Sequence, residues 1–576
     1  MGENDTAIEA ARPDDWPLRP WLLAGLLGLA GLAVHLASDG GSDTPWRMAL
    51  TAFFFFGPVA AALTIDRNDR VAPAIFGLGV GAVMAGIAWR VTSVQDRYSD
   101  TEYWVAAGIL AVLLSVPLFQ SGFHKLRWKT PYKVTHYHVW SDAICGAGAL
   151  AFTGLSWALI AILAALFDVI QISLLKDLID EEWFGWMFSG AAFGASLGVL
   201  RNQMKIIGTL QSVVLLVLSI LAVPLAIALI LFLLAVALSG IDVLWAATKS
   251  ATPLLLACAV GAFVLTNAVV RDDDADASNS RILRIAGFVL AIGILPLAAM
   301  AALSMGTRID QHGLSPERLW AVIAIGVAVA YGAGYFVAAI RGRKDGWRDL
   351  LRQANLHLAV ITCVIAFLLA MPILNFGTIS TANQLSRLES GKVSADEFDY
   401  TALRWDFGEP GREALAQLAK SSDAAIKEGA EIALAQESRP YRYGPIKEQT
   451  SDRDRRLANL RMEFDDPDLK RRVELTIAGR RWSCDKPCVA LDLEEKDGVH
   501  TVAIAEGRGL YNLTIDTNQP LTELKAQGMD AVSAVELASE APEKDAEVSA
   551  NSDVEIREWT GRRVYVDGKP IGEPFE

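Results

Sequence analysis

GTLQSVVLLVLSILAVPLAIALILFLLAVAL, residues 208–238, holds 31 residues with no Asp, Glu, Lys, Arg or His among them. As one α-helix it would run about 46 Å at 1.5 Å per residue. Soluble domains do not hide an apolar helix of that length, whereas a lipid core about 30 Å thick requires one of roughly 20 residues. Pro224 stands near its middle. Two readings stay open from the residues alone: one tilted span, or two short segments parted at the proline. The choice sets the parity of the crossings, and hence the side on which the chain's last third emerges.

Ten further apolar blocks share this character: 21–38, 46–65, 71–90, 103–121, 143–167, 183–200, 252–270, 283–304, 318–340 and 355–375. Apolar residues make up 52% of the 576, and mean hydropathy is positive at +0.31. Lipid offers no partner to a free N–H or C=O, so the blocks must be helices. The expectation is an all-α polytopic transmembrane bundle of about 11 helices, followed by a soluble α+β domain. Its divisions fall at 1–20 (N-terminal end), 21–376 (membrane bundle), 377–465 (helical, outside the membrane) and 466–576 (small and β-rich). Residues 377–576 carry 27 Lys/Arg against 39 Asp/Glu, nearly all of the chain's net −14. That balance argues against nucleic acid as a partner. The opening MGENDTAIEAARPDDW is acidic and lacks the basic start of a signal peptide, so the first block is expected to remain as a span.

Basic residues in short loops stay in the cytoplasm. With eleven crossings, the N-terminal end and the loops near 66–70, 122–142, 201–205, 271–284 and 341–353 hold 18 Lys/Arg, and the other five loops hold 7. This places the N-terminus in the cytoplasm and the C-terminal domain in the periplasm.

The loop assignment gives a meaning to YKVTHYHVWSD (132–142). Trp128, Tyr132, Tyr137 and Trp140 interleave with Lys125, Arg127, Lys129 and Lys133, the composition of a headgroup-level anchor. The competing reading is a transition-metal site on His136 and His138, with His124 and Asp142. It lacks a nearby Cys or Glu, so no metal or cofactor is assigned. The run HVWSDAICGAGALAFTGLSWALIAILAALFDVIQI, with Trp140, Trp157, Leu166 and Phe167, resembles the core signature of domain-of-unknown-function family 4153. RIDQHGLSPERLWA (308–321), with Gly313, Leu314 and Arg318, and YTALRWDFGEPGREALAQLA (400–419) resemble it too. The resemblance covers roughly 100–420. It implies a bacterial inner-membrane protein and carries over no activity.

Gly190, Gly194 and Gly198 recur every fourth residue, baring one helix face for close packing. Glycines also cluster at 25, 28 and 31 and at 77, 79, 81 and 86. Helix centres are nearly free of charge, which argues against an ion-coupled pump. Asn267, Tyr331 and Tyr335 could line a path for a neutral solute. Asp272-Asp273-Asp274-Ala-Asp276 has the spacing of a Mg²⁺-diphosphate motif. Its one candidate partner, Asp177 to Glu182, falls on the opposite side, so a solvated acidic loop is favoured. No nucleophile elbow, P-loop, His-Glu-x-x-His or dinucleotide fingerprint is present.

In the tail, Ser394 and Glu397 have capping-box spacing. From about 470, VELTIAG, CVALDLEE, HTVAIAE, YNLTID, VEIREW and RRVYVDGKPIG alternate as strands do, with an Asp-Gly turn at 567–568. Residues 538–553 have a linker's composition. Cys484 and Cys488 are a candidate disulfide, with free thiols, or a metal or redox role, as the alternatives. The function expected is a non-enzymatic anchor or signalling protein of the bacterial envelope, with the bilayer and an envelope protein as partners. A transporter or flippase for a neutral or lipid-like solute is the alternative, and an enzyme using the acidic loop the least favoured.

Overall fold

The computed structural model describes residues 15–39, 44–94, 101–240, 251–274, 280–342, 346–436, 439, 446–479, 483–507, 509–518, 549, 551–559 and 561–575. The signal-peptide reading of residues 1–14, Asp276, and most of the linker at 538–553 lie outside these. The chain divides into two compact units, 1–380 and 381–576.

Among the described residues, eleven helices of the first unit are long and apolar enough to span a membrane: α1 Arg19–Ser38, α2 Pro45–Thr64, α3 Val71–Ser93, α4 Thr101–Gln120, α5 Tyr132–Val169, α6 Glu182–Asn202, α7 Met204–Ser239, α8 Ala251–Val270, α9 Arg281–His312, α10 Pro316–Arg341 and α11 Trp347–Ala370. Short helical turns at 123–129 and Leu174–Asp180 are left unnumbered. The 208–238 stretch forms one helix, α7, of 36 residues with Pro224 inside it. α5 begins eleven residues before the expected start. The segment 132–142, read as a loop, is its first three turns, opened by Pro131 in an extended conformation.

Among the described residues, three apolar clusters are the largest in this unit. Leu23, Ala62, Tyr137, Cys145, Leu197 and Ile207 join α1, α2, α5, α6 and the start of α7. Leu229, Leu255, Leu290, Ile294 and Leu351 join α7, α8, α9 and α11. Val80, Ile87, Val116 and Leu369 join α3, α4 and α11. The α6 glycines face α1. A Cβ on Gly190 or Gly194 would overlap the carbonyl of Leu27 or Leu23, and one on Gly198 would meet Pro20 at 2.5 Å. From α1, Gly31 closes on the Trp186 carbonyl and Gly28 on Ala191, while Gly25 meets nothing within 4 Å. This seam lies within one chain. Gly77 and Gly81 play the same part against α2, and Gly79 and Gly86 do not.

The second unit starts with short helices. After α12 (Phe376–Glu389) come α13 (Tyr400–Trp405), α14 (Gly408–Leu418) and α15 (Ala424–Leu434). Their common core is Phe398, Leu403, Phe407, Leu415 and Ala430. The helix start expected at Ser394 is displaced to Asp399, whose Oδ1 accepts from Ala402 N at 3.0 Å; Ser394 sits in the turn before it. α16 (Ile446–Asn459) leads into a four-stranded sheet of order β1-β2-β3-β4, with β1 Leu460–Met462, β2 Cys488–Lys496, β3 Val499–Glu506 and β4 Gly509–Asp516. β1 is parallel to β2, and the others are antiparallel.

VELTIAG is not a strand. It lies in α17 (Pro467–Gly479), whose Leu469, Val473 and Ile477 pack at four-residue intervals on Ala490, Val502, Ile504 and Leu513. The alternate sheet positions, Val489, Leu491, Ala503 and Ala505, face Val564 and Val566 of the β5-β6-β7 sheet (β5 Val554–Trp559, β6 Gly561–Val566, β7 Lys569–Phe575). Two Asp-Gly turns close hairpins with positive φ at both residues, 53° and 79° at 497–498 and 48° and 77° at 567–568. That is the twist a two-residue hairpin demands. Cys484 and Cys488 form a disulfide, Cα to Cα 5.3 Å, at the edge of β2.

Candidate functional site

Four uncharged polar residues of the membrane unit gather where α5, α8, α10 and α11 meet. Each span supplies one uncharged hydrogen-bonding side chain near one end: Tyr132, Asn267, Tyr335 and Asn355. Asn355 Nδ2 donates to Asn267 Oδ1 at 2.6 Å and to Tyr132 Oη at 3.2 Å. Asn267 Nδ2 donates to Tyr335 Oη at 2.7 Å, and Tyr335 donates to Asn355 Oδ1 at 2.6 Å. Asn267 Nδ2 also bonds the Phe263 carbonyl at 2.8 Å. Tyr335 is fully buried, and Asn267 and Asn355 are 8% and 6% exposed. A buried amide without partners costs about 1–3 kcal/mol per group; here both amides are bonded to each other, to the two tyrosines and to the Phe263 carbonyl. Tyr331 lies beside the ring, edge-on to Phe263 at 5.0 Å.

A charged cap covers the same end. Arg352 Nη2 donates to the Val270 carbonyl at 2.8 Å and Nε to that of Arg271 at 3.2 Å, so a cation closes the negative end of α8. Its fork also holds Asp274 at 2.9 Å and Asp349 at 2.7 Å. Arg348 lies 3.4 Å from Asp274, and Lys133 3.2 Å from Asp273. Burial, with Asp273 adding its like charge, lifts the Asp272 carboxyl above the ordinary aspartate range, against the pull of Lys133 and Arg352. Three loops that the charge count assigns to one side thus meet at one end of the unit. The second acidic cluster, Asp177 to Glu182, follows the far end of α5, whose 38 residues span about 57 Å at 1.5 Å each.

Arg201 repeats the device at α2, donating to the carbonyls of Ala62 at 2.6 Å and Ile65 at 3.1 Å. Beside it, Arg19 is fully buried and bonds Asp66 at 2.5 Å and Asn202 at 2.7 Å. Arg318 closes the end of α9 through the carbonyls of Gly313 at 2.7 Å and His312 at 3.2 Å. Its own N–H bonds Ser315 Oγ at 3.3 Å, and Gly313 takes a φ of +72°. GLSPER is therefore a tight turn between spans, locked by its arginine.

The structure scatters the residues read as interface anchors. Trp128 is exposed and stacks on His357 at 5.2 Å. Trp140 is half-buried and donates from Nε1 to His136 Nε2 at 3.2 Å. Tyr137 is buried in a core cluster, and Tyr132 belongs to the polar ring. On a helix His136 and His138 point about 200° apart, so they do not share one face. Asp142 accepts from Gln120 at 3.1 Å. His124 stacks on Phe119 at 4.6 Å, and burial, aided by Lys125, keeps its pKa below the usual value. Among the described residues no three His, Cys, Asp or Glu converge as metal ligands would.

Asn355 and Arg352 escaped sequence reasoning. One is a lone polar residue at the edge of an apolar block, the other one of several bases in a loop. The available signal was their spacing: residues 352 and 355 lie one turn apart, so both face the same neighbours.

No curated protein and no solved structure matches the chain. Residues 18–418 match the family described as Domain of unknown function (DUF4153), reaching further toward the N-terminus than the residues first singled out, and the chain belongs to that family of multi-pass membrane proteins.

Proposed function

We propose that this is a non-enzymatic protein of the bacterial inner membrane whose helical bundle holds the 381–576 unit on the periplasmic side, where an envelope protein binds it. The observation that supports this reading is the closed hydrogen-bond ring: the buried polar groups at one end of the bundle satisfy one another rather than line a passage. The acidic loop gives little support to Mg²⁺ chemistry, because Asp273 and Asp274 already face Lys133, Arg348 and Arg352. Three features favour the orientation: an odd number of spans, the Lys/Arg bias of alternate loops, and a disulfide buried in the second unit, a bond that persists in oxidising compartments. A reporter enzyme fused after Glu576 and active only in the periplasm should be active. Activity only with a cytoplasmic reporter would reverse the orientation.

The second reading, a transporter or flippase for a neutral or lipid-like solute, draws on the clustering of Asn267, Tyr331 and Tyr335. The purified chain in vesicles should move fluorescent phospholipid between leaflets no faster than protein-free vesicles do. Faster movement would favour the flippase.

A further inference from the structure

A groove of about 380 Å³ runs between α3, α4 and α11, lined by Phe76, Gly79, Val83, Ala111, Val364 and Phe367. Gly79 leaves part of it open: a Cβ there would meet no atom within 4 Å. Its two polar side chains are already engaged. Ser115 donates to the Val112 carbonyl at 3.0 Å and Cys363 to that of Ala111 at 3.5 Å. Val364 and Phe367 are exposed at its rim, so it opens to the bundle's surroundings. Those surroundings are hydrocarbon, because all three helices are spans.

Along α3 the lining extends from Phe76 to Ile87, about 17 Å at 1.5 Å per residue. The stretch sits about the middle of the Val71–Ser93 span, and from Phe76 on to Arg90 the path is about 21 Å at 1.5 Å per residue. One turn beyond Ile87, on the same helix face, stands Arg90. Its Nη1 bonds the carbonyl of Ala370, the last residue of α11 and part of the lining, at 3.3 Å. Its guanidinium lies 3.4 Å from the centre of the Trp104 ring. Trp89 is exposed at the same level, so this end carries the aromatic and basic residues of a headgroup zone.

We propose that the groove holds one acyl chain of a membrane phospholipid whose phosphate sits at Arg90. An apolar lining that runs inward from a cation at the headgroup end fits a lipid tail entering from that side of the bilayer. The charge of a guanidinium attracts a phosphate.

The test is native mass spectrometry of the full chain in detergent, titrated with dioleoyl phosphatidylglycerol. Wild type should retain one phospholipid. Gly79→Phe, which fills the groove, should lower retention to the level of nonspecific adducts. Gly25→Phe, at an equally open position on α1 away from the groove, should leave it unchanged. Arg90→Gln should weaken binding about tenfold, the effect of one charge-assisted hydrogen bond, and Arg90→Lys should restore most of it. Equal melting temperatures for Gly79→Phe and Gly25→Phe would show that the loss is not unfolding. Equal retention by wild type and Gly79→Phe would overturn the groove as the site, and equal affinity of Arg90→Gln and wild type would overturn the phosphate assignment.

Discussion

The α1–α6 seam and the junction of α5, α8, α10 and α11 hold helices together by opposite means. At the seam, Gly190, Gly194 and Gly198 remove side chains so that backbone meets backbone. At the junction, Tyr132, Asn267, Tyr335 and Asn355 insert side chains that bond across four helices. Lipid tails are as apolar as leucine, so burying leucine gains little there. Dispersion at close range and hydrogen bonds shielded from water remain as the sources of association. The first tolerates no added atom, and the second tolerates no missing partner.

Substitutions at the two places should therefore fail in different ways. Gly194→Leu drives a side chain into the Leu23 carbonyl, and helices can relieve that only by parting. It should cost more than about 4 kcal/mol and abolish the monodisperse peak on size exclusion. Gly25→Leu, on the facing helix but open to its surroundings, should change stability by no more than about 0.5 kcal/mol. Equal damage from both would break the contrast.

At the junction, Asn355→Leu strips partners from three side chains and should cost about 2–3 kcal/mol in thermal or denaturant unfolding. Tyr335→Phe should cost about 1 kcal/mol. A double-mutant cycle over Asn267→Ala and Asn355→Ala should give a coupling of at least about 0.5 kcal/mol; none would mean the ring's members act independently. The second unit offers a third case. Cys484→Ser should destabilise it by about 2 kcal/mol, the chain-entropy value for so short a loop. Hydrogen exchange should show the loss in α17 and β2 to β4 while the membrane unit keeps its protection.

The smallest effect concerns charge. Burial raises the Asp272 pKa, so the folded state binds a proton that the unfolded state has already released. Stability therefore falls as pH rises from the ordinary aspartate value near 3.8 through the raised one, and stays lower above it. Asp272→Asn should melt slightly higher than wild type at neutral pH, and the gain should vanish below that window. A gain that persists in acid would contradict the stated cause.

The spans were legible because twenty apolar residues in a row have few other uses, and the single helix through Pro224 settles the one ambiguous block. The start of α5 was not legible. YKVTHYHVWSD is polar and aromatic, and it is helical because Tyr132 and Lys133 find their partners on α8, α11 and the loop after α8, more than 130 residues away. The same holds for the ring: Asn267 and Tyr335 stood out as polar residues in oily helices, but no pattern linked them to Asn355. VELTIAG misled because period two was read in a seven-residue window. The longer window, with apolar residues at 469, 473 and 477, carries a helix period. Glycine spacing named the right face of α6 without naming its neighbour.

Cys484 and Cys488 are 0% and 1% exposed, walled in by α17 and the sheet, and both oxygens of Glu506 grip the backbone of their loop, at Cys484 N (2.7 Å) and Lys486 N (2.9 Å). No oxidase reaches sulfurs so enclosed. The two thiols must be joined while this layer is still ajar, which puts covalent maturation ahead of the final closure and makes the finished bond a record of where the nascent polypeptide was when it shut.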